Sequence, residues 1–209
     1  MATRLLPFRQ YDDNDVVNMY ALADAAVNEN VTGVGSGDAG VFVKVSAGNF
    51  DLDPVSYATD SYLGKTDYPF VGANQYPSVN LKVTPAASGD TTNCLGLTLR
   101  QTAKYDENGE KLLYYRQKAE ELMCVLPGQA VPVATRGIFS VGSNAFDGTL
   151  TVGNAFKLSA NGGKITGCLH SDTAKIGTIL GTGSRTAGST ADQFAGTGTA
   201  NFAVIGLRL

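Results

Sequence analysis

The chain has 209 residues, of which 43% are hydrophobic and 17% charged, with a net charge of −3 and no Trp. This length provides for one large domain or two small ones, and the low charge with 25 Gly favours short strands and tight turns over a helical bundle. No basic run reaches five residues and no long apolar stretch occurs, so we expect no nucleic-acid partner, no membrane span and no signal peptide.

Residues 1–30 differ in composition from the rest of the chain, and we predict an extended arm that is ordered in part by the surface on which it lies. The acidic run 12–15 before Val16 and Val17 is an N-cap signal for a short helix at 13–20, although the same residues also suit a strand. The apolar side chains expected to anchor this arm on that surface are Leu5, Leu6, Phe8, Tyr11, Val16 and Met19.

Residues 31–108 are expected to form an N-terminal β domain of the sandwich type, after a Gly-rich joint at 31–39. Strands are predicted at 41–45, 78–84 and 95–100, and the last two alternate polar and apolar residues. The long loop between the first two is rich in Tyr and Pro, and loops of this length in compact domains are usually functional. Its tyrosines either line the core or pack against neighbouring subunits, and both interpretations stay open for Tyr57, Tyr62, Tyr68 and Tyr76.

Residues 109–209 are expected to form a short helical connector and a small C-terminal β-barrel. The helix is predicted at 110–123, where strong helix formers cluster. Short strands separated by Gly, Asn and Asp turns come after it, which is typical of small barrels. An apolar final strand at 202–209 should fix the C-terminal end in the sheet, and 181–198 is predicted to be a mobile loop. The predicted class is therefore all-β, with an N-terminal extended arm and one short helix.

Motifs that would bind phosphate or calcium are incomplete. Residues 35–40 match the G-x-G-x-x-G pattern of dinucleotide sites, but a strand comes next where that mechanism needs a helix. The Gly-rich run 181–186 lacks the Gly-Lys pair of a phosphate loop. The acidic residues at 12–15, and those at 51, 53 and 60, lack the alternating order of an EF-hand. We interpret these segments as a hinge, a loop and caps.

Catalytic and metal-binding residue types are few. His170 is the only histidine, and a Ser/His/Asp triad would have to use it, although it lies at a predicted strand end. The three cysteines Cys94, Cys124 and Cys168 are odd in number and contain no C-x-x-C, so we expect free thiols that serve as small hydrophobic residues. We predict no catalytic residue, no cofactor and no metal site.

Several segments resemble capsid structural proteins of tailed phages that infect marine cyanobacteria. The N-terminal segment MATRLLPFRQYDDNDVVNMYAL (1–22) is the most specific of them. The C-terminal half is similar to the small β-barrel of phage capsid cement proteins in its Val-Pro-Val at 131–133, Gly-Cys-Leu at 167–169 and Ile-Gly-Thr-Ile-Leu at 176–180. Further segments that carry the resemblance are SYLGKTDYP (61–69), Gly89-Asp90, LGLTL (95–99), NGEKLLY (108–114) and LPGQAVPVATRGIF (126–139).

This resemblance implies a cement or decoration protein on the outer surface of the virion capsid, assembled in the host cytoplasm. Its partners would be the major capsid protein and further copies of itself, most often as a homotrimer, and it would have no active site. Two alternatives remain open. One is a tail-tube or baseplate protein of the virion, and the other is a glycan-binding β protein, although the chain has no Trp for sugar stacking.

Overall fold

The computed structural model describes residues 4–20, 39–48, 79–103, 110, 112–126, 129–186 and 199–208. Within these ranges the chain is mostly β-strand with one short α-helix, α1 (Arg116–Glu121), which confirms the predicted all-β class. The strands are β1 (Leu5–Gln10), β2 (Val16–Tyr20), β3 (Phe42–Gly48), β4 (Val79–Pro85), β5 (Cys94–Thr98), β6 (Gln101–Thr102), β7 (Cys124–Val125), β8 (Ala130–Ala134), β9 (Arg136–Gly142), β10 (Phe146–Asp147), β11 (Ala155–Leu158), β12 (Ile165–Cys168), β13 (Lys175–Thr186) and β14 (Thr199–Arg208).

Seven strands form one sheet in the order β1-β9-β14-β13-β11-β12-β10. The longest pairing is the antiparallel ladder of β13 and β14, which runs from Gly177 opposite Leu207 to Thr186 opposite Thr199. Side chains along β14 alternate, because successive residues of a strand point to opposite faces. Its buried face carries Ala203, Ile205 and Leu207, and this face packs onto the main hydrophobic core.

Five other strands pair in the closed order β2-β4-β3-β5-β8 and form a small barrel. The seam between β2 and β4 is a single parallel residue pair, Tyr20 opposite Lys82, so it is the least extensive junction of the ring. Small β-branched side chains fill a narrow barrel well because they pack without long rotamers. The buried cluster of the barrel accordingly consists mainly of valines, to which β7 adds Val125. Its buried members are Met19, Val41, Val43, Val83, Val125, Val131 and Val133.

The barrel and the sheet share one hydrophobic core. Phe42 of the barrel meets Phe156 of the sheet edge-to-face, with ring centroids 6.1 Å apart. The turn between β11 and β12 also reaches the barrel, where the Gly163 amide donates to the Ala86 carbonyl and the Gly163 carbonyl accepts from the Phe42 amide. Arg4 adds a bond from Nη1 to the same Gly163 carbonyl at 3.3 Å. Apolar packing and backbone bonds therefore both join the two layers.

The chain passes between the layers at two adjacent points, which we name the double crossover. One passage is the turn of residues 11–15 between β1 and β2, and the other is the single residue Thr135 between β8 and β9. β1 pairs with β9 in the sheet while β2 pairs with β8 in the barrel, both antiparallel. The Asp15 carbonyl accepts bonds from the Thr135 amide at 2.9 Å and from the Thr135 hydroxyl at 3.0 Å. These bonds hold the two passages side by side.

The strand pairing differs from the domain organisation expected from the sequence. Residues 4–20, assigned to an arm, are extended, but they are paired inside the protein's own sheets. The closed ring is formed mainly by strands before residue 99, whereas the C-terminal half supplies most of the seven-stranded sheet. The barrel was expected in the C-terminal half, but most of its strands come from the N-terminal half. The prediction missed this because strand propensity and turn spacing do not reveal which strands pair. Both predicted boundaries, 30/31 and 108/109, are crossed by these pairings.

The remaining local predictions have mixed outcomes. The helix expected at 110–123 is present but shorter, as a 3-10 turn at Leu112–Tyr114 followed by α1. The acidic run forms a 3-10 turn, Asp13–Asp15, capped by the Asp12 carboxylate, and a strand comes after it. The loop prediction for 181–198 was wrong for 181–186, which belong to β13. Residues 31–38 of the Gly-rich joint expected at 31–39, and the Tyr-rich loop at 51–77, lie outside the described residues. No helix in the described ranges is long and apolar enough to cross a bilayer.

Candidate interaction surface

The N-terminal surface, which we define by Phe8, Tyr11 and Val17, carries exposed apolar side chains on β1, on the turn that follows it and on β2. Phe8 is 57% exposed, and Tyr11 and Val17 are each nearly two-fifths exposed. β1 is the edge strand of the seven-stranded sheet and contains Pro7, which lacks an amide donor and suits an edge position. This edge therefore offers a binding partner an exposed aromatic ring, and Pro7 leaves it one backbone amide donor fewer.

Rigid contacts hold these exposed rings in place. Leu5, on the same strand as Phe8, is buried in the shared core. The Arg9 guanidinium bonds the Leu99 carbonyl through Nη1 at 3.3 Å and the Leu6 carbonyl through Nε at 3.4 Å. The Tyr11 ring stacks on the buried Phe139 ring, with centroids 5.9 Å apart. A strand fixed at both ends presents Phe8 with little conformational freedom left to lose on binding.

The predicted contact residues separate into two groups. Leu5 and Met19 are buried in the protein's own core, at 4% and 5% exposure, and Val16 packs against that core. Leu6 is half-buried, so Phe8 and Tyr11 are the exposed members of the predicted set. The sequence did not separate the two groups because the strand register that decides which side chains point inward is set by distant partners. The tyrosines Tyr57, Tyr62, Tyr68 and Tyr76 lie outside the described residues.

A second group of exposed apolar side chains lies around α1. Tyr114 is 70% exposed, Tyr115 48% and Met123 54%. This segment has its own small core, in which Leu112, Ala119 and Cys124 are buried. Met123 was not selected from the sequence. It has a positive φ of 50° immediately after the helix, and no local residue pattern marks that conformation.

Asp147 is the centre of a polar cluster at the end of β10. Its carboxylate accepts bonds from the Ser159 hydroxyl at 2.5 Å, the Asn161 amide at 2.9 Å and Lys164 Nζ at 3.2 Å. The hydrogen bond from Ser159 is the largest cause that lowers the pKa of Asp147, with smaller contributions from Asn161 and Lys164. These bonds brace the β11–β12 turn that carries Gly163, so the cluster serves the contact between sheet and barrel.

Lys157, Asp172 and His170 also make structural bonds. Lys157 and Asp172 form an ion pair at 2.7 Å, and their hydrogen bond is the main cause that raises the pKa of Lys157 and lowers that of Asp172. His170 is exposed at the end of β12, as predicted, and its Nε2 donates to the Gly153 carbonyl at 2.5 Å. Among the described residues, no group of three or more His, Cys, Asp or Glu side chains could hold a metal ion.

The three cysteines are free thiols, as expected. Cys124 is buried, whereas Cys94 and Cys168 are half-buried. Burial is the main cause that raises the pKa of Cys94 to about 12, and it also raises that of Cys168, with a smaller effect from the Asp172 charge. A raised pKa keeps a thiol protonated at neutral pH, and the thiolate is the nucleophilic form. The arrangement therefore does not activate either of these cysteines.

A cleft of about 310 Å³ opens between the segment after β10 and the far ends of β13 and β14. Three of its side chains, Thr182, Ser184 and Asn201, belong to the face of the hairpin that also carries the buried Ala203, since residues two apart share a face. The cleft was not predicted from the sequence, although the alternation of hydroxyl residues at 182 and 184 was a readable strand signal. The lining residues are Phe146, Gly148, Thr149, Leu150, Thr182, Gly183, Ser184, Asn201 and Phe202.

Comparisons with known proteins leave the family open. No protein-family model matches the chain, and neither the curated proteins nor the solved structures contain a match to it. A functional assignment therefore has to come from the residues themselves and from the geometry of the exposed surfaces.

Proposed function

We propose that this chain is a structural protein of a virus particle, which binds the outer surface of a tailed-phage capsid and stabilises contacts between major capsid protein subunits. The observation that carries the proposal is the N-terminal surface, with Phe8 exposed on an edge strand whose neighbouring side chains are fixed. The segment that bears it is also the one with the most specific resemblance to phage capsid proteins.

The surface chemistry supports adhesion through buried apolar area. Aromatic side chains are enriched at the centres of protein interfaces, where they are surrounded by polar residues. Next to Phe8 along the strand, Pro7 and Gln10 are exposed and Arg9 is partly exposed, so apolar and polar side chains adjoin the ring. Burial of a Phe side chain contributes about 1.5–3 kcal/mol. A single copy would then bind modestly, and attachment at many equivalent capsid sites, or as a homotrimer, would multiply the effect.

The structure changes how the proposal is best tested. Removal of residues 1–22 would delete β1 and β2, and with them an edge of the sheet and a strand of the barrel. Loss of capsid binding by that truncation would therefore report unfolding as readily as lost contact. Point substitution of an exposed side chain avoids this problem, because surface substitutions usually change stability by less than about 0.5 kcal/mol.

The experiment measures binding of the purified chain to expanded capsids that lack it, by co-sedimentation and by electron microscopy of labelled protein. We expect the wild type to decorate the heads, and Phe8→Ser to weaken binding at least tenfold or so, because a buried ring is removed from the contact. A matched control is Leu169→Ser, since Leu169 is 66% exposed and comes directly after β12, near the opposite side of the sheet from β1.

Three results would contradict the proposal. Binding to tails rather than heads would favour the tail-tube or baseplate alternative. Wild-type occupancy by Phe8→Ser would remove the N-terminal surface from the contact. Equal losses for Phe8→Ser and Leu169→Ser would mean that the assay responds to any loss of apolar surface.

A further inference from the structure

We infer that the cleft between residues 146–150 and the β13–β14 hairpin binds a neutral saccharide of one or two rings. This site is separate from the N-terminal surface and does not depend on the capsid role. One face of the β13–β14 hairpin is apolar where it covers the hydrophobic core and polar where it reaches the cleft. Ala203 and Ile205 are buried in the core, whereas Thr182, Ser184 and Asn201 face the cleft end of the same ladder.

The polar side chains of the cleft are available to a ligand. Thr149, Thr182, Ser184 and Asn201 are all exposed. In the part of the chain that the structure describes, none of these four side chains has a hydrogen-bond partner. Three hydroxyls and one amide together offer donors and acceptors in comparable number. Such a set matches a ligand whose own groups are hydroxyls that both donate and accept.

The apolar part of the cleft provides a complementary face. Phe146 is half-buried and packs against the main core, so its ring is held in place, and Leu150 is buried beside it. A pyranose ring has one face of C–H groups that packs on an aromatic or aliphatic surface while its hydroxyls point to the rim. A cleft lined by both apolar and neutral polar side chains can therefore contact the C–H face and the hydroxyls of a sugar ring.

The charge and size of the cleft exclude other small ligands. None of its nine lining residues is charged, so an anion or a cation would lose hydration without gaining a counter-charge. A wholly apolar ligand would cover the hydroxyls and the Asn201 amide without replacing their bonds to water, which also costs free energy. A volume of about 310 Å³ is near the lower end of the range for ligand pockets, which suits a mono- or disaccharide.

The test is a titration of the isotope-labelled full chain, followed by amide chemical shifts, with glucose, galactose, N-acetylglucosamine and maltose as separate probes. We expect at least one of them to bind with a dissociation constant on the order of millimolar, as is usual for a small neutral ligand in an open site. The largest shifts should fall on residues 147–150, 182–184 and 201. Glucose 6-phosphate and cyclohexanol serve as the charged and the apolar probe.

Two substitutions in the cleft, each with a control outside it, test where the sugar binds. Thr182→Tyr should fill the cleft and abolish the shifts, whereas Thr173→Tyr should leave them unchanged, since Thr173 is equally exposed in the turn before β13 and does not line the cleft. Asn201→Ala should weaken binding about tenfold through its lost hydrogen bonds, and Asn93→Ala, an exposed residue outside the cleft, should not.

The outcomes separate this inference from the proposed function. Saccharide binding that Thr182→Tyr abolishes supports the site, whatever the result with capsids, and Phe8→Ser should bind saccharide like the wild type. The inference is overturned if none of the four sugars binds at concentrations of about 50 mM, well above the expected dissociation constant. It is also overturned if only cyclohexanol or glucose 6-phosphate binds, or if Thr182→Tyr retains the shifts.

Discussion

The barrel and the seven-stranded sheet reach stability by different means. The barrel encloses a small interior, filled mostly by valines, and closes at a seam of one residue pair. The sheet contributes Phe139, Phe156 and a row of Ile and Leu side chains to a larger core, which also takes Phe42 and Leu97 from the barrel. The barrel thus depends on the sheet for the burial of its largest side chains, so its small interior need not hold it together alone.

The substitution Phe139→Ala should cause the greatest loss of stability, because it truncates a side chain of the core that the barrel shares with the sheet. Phe139 is fully buried in the shared core, and truncation of a buried Phe costs about 3–5 kcal/mol. Val133→Ala, at an equally buried site inside the barrel, should cost about 1.6 kcal/mol for its two lost methyl groups. Urea denaturation followed by circular dichroism measures both. Equal losses would mean that the barrel interior contributes as much as the shared core.

The next effect concerns the contact between the layers at Gly163. Gly163 has a φ of 76°, and a Cβ built there would lie 2.6 Å from Val41 Cγ1. Gly153 has a similar φ of 83° but open space around its Cβ position. Both Ala variants carry the backbone cost of positive φ, and Gly163→Ala should lose a further 1–3 kcal/mol or so from crowding.

The measurement for this pair is again urea denaturation, with amide hydrogen exchange at Phe42, whose amide donates to the Gly163 carbonyl. We expect faster exchange there only in Gly163→Ala. If Gly153→Ala loses as much stability as Gly163→Ala, the contact between turn and barrel contributes little.

The Asp147 cluster should make the stability of the protein sensitive to acid, to a small extent. The folded state holds the pKa of Asp147 below its ordinary value, mainly through the Ser159 bond, so folding favours the ionised form. This contribution is full well above the ordinary carboxyl pKa of 3.8, and it is lost as the pH falls below that value and through the lower pKa of the folded state. Asp147→Asn should remove about 1 kcal/mol at neutral pH and flatten the decline in the free energy of unfolding over that range.

A control is Asp172→Asn, because Asp172 also has a lowered pKa but joins the turn before β13 to Lys157 on β11, away from the contact between sheet and barrel. Its effect on stability should be smaller than that of Asp147→Asn. An unchanged acid decline in Asp147→Asn would contradict the role given to the Asp147 cluster.

The local residue pattern predicts most of the strands but not which strands pair with each other. The alternation at 95–100 and the β-branched run at 41–45 correctly indicated β5 and β3, since period-two burial is a local property. The pairing of β1 with β9 joins residues more than 120 positions apart, and nothing in residues 5–10 identifies that partner. For the same reason, residue type predicts a contact role for both Leu5 and Phe8, although Leu5 is buried and Phe8 is exposed.

The candidate surfaces could likewise be predicted from the sequence only where residue type alone identifies them. Exposed aromatic residues near the N-terminal segment could be selected by residue type, and Phe8 and Tyr11 are indeed exposed. The cleft could not be selected, because its walls come from residues 146–150, 182–184 and 201–202, which only the tertiary fold brings together. Gly183 in particular suggested a loop, whereas it lies in a long ladder opposite Phe202.

The double crossover has a consequence for how the protein is made. β1 and β2 find their partners in β9 and β8, so residues 5–20 cannot complete their ladders until the ribosome has released residue 142. At typical elongation rates of about 5–20 residues per second, this interval lasts on the order of ten seconds. During this interval the nascent chain carries Leu5 and Met19, which the folded protein buries, without their partner strands, so it is open to aggregation and to chaperones until the two layers join.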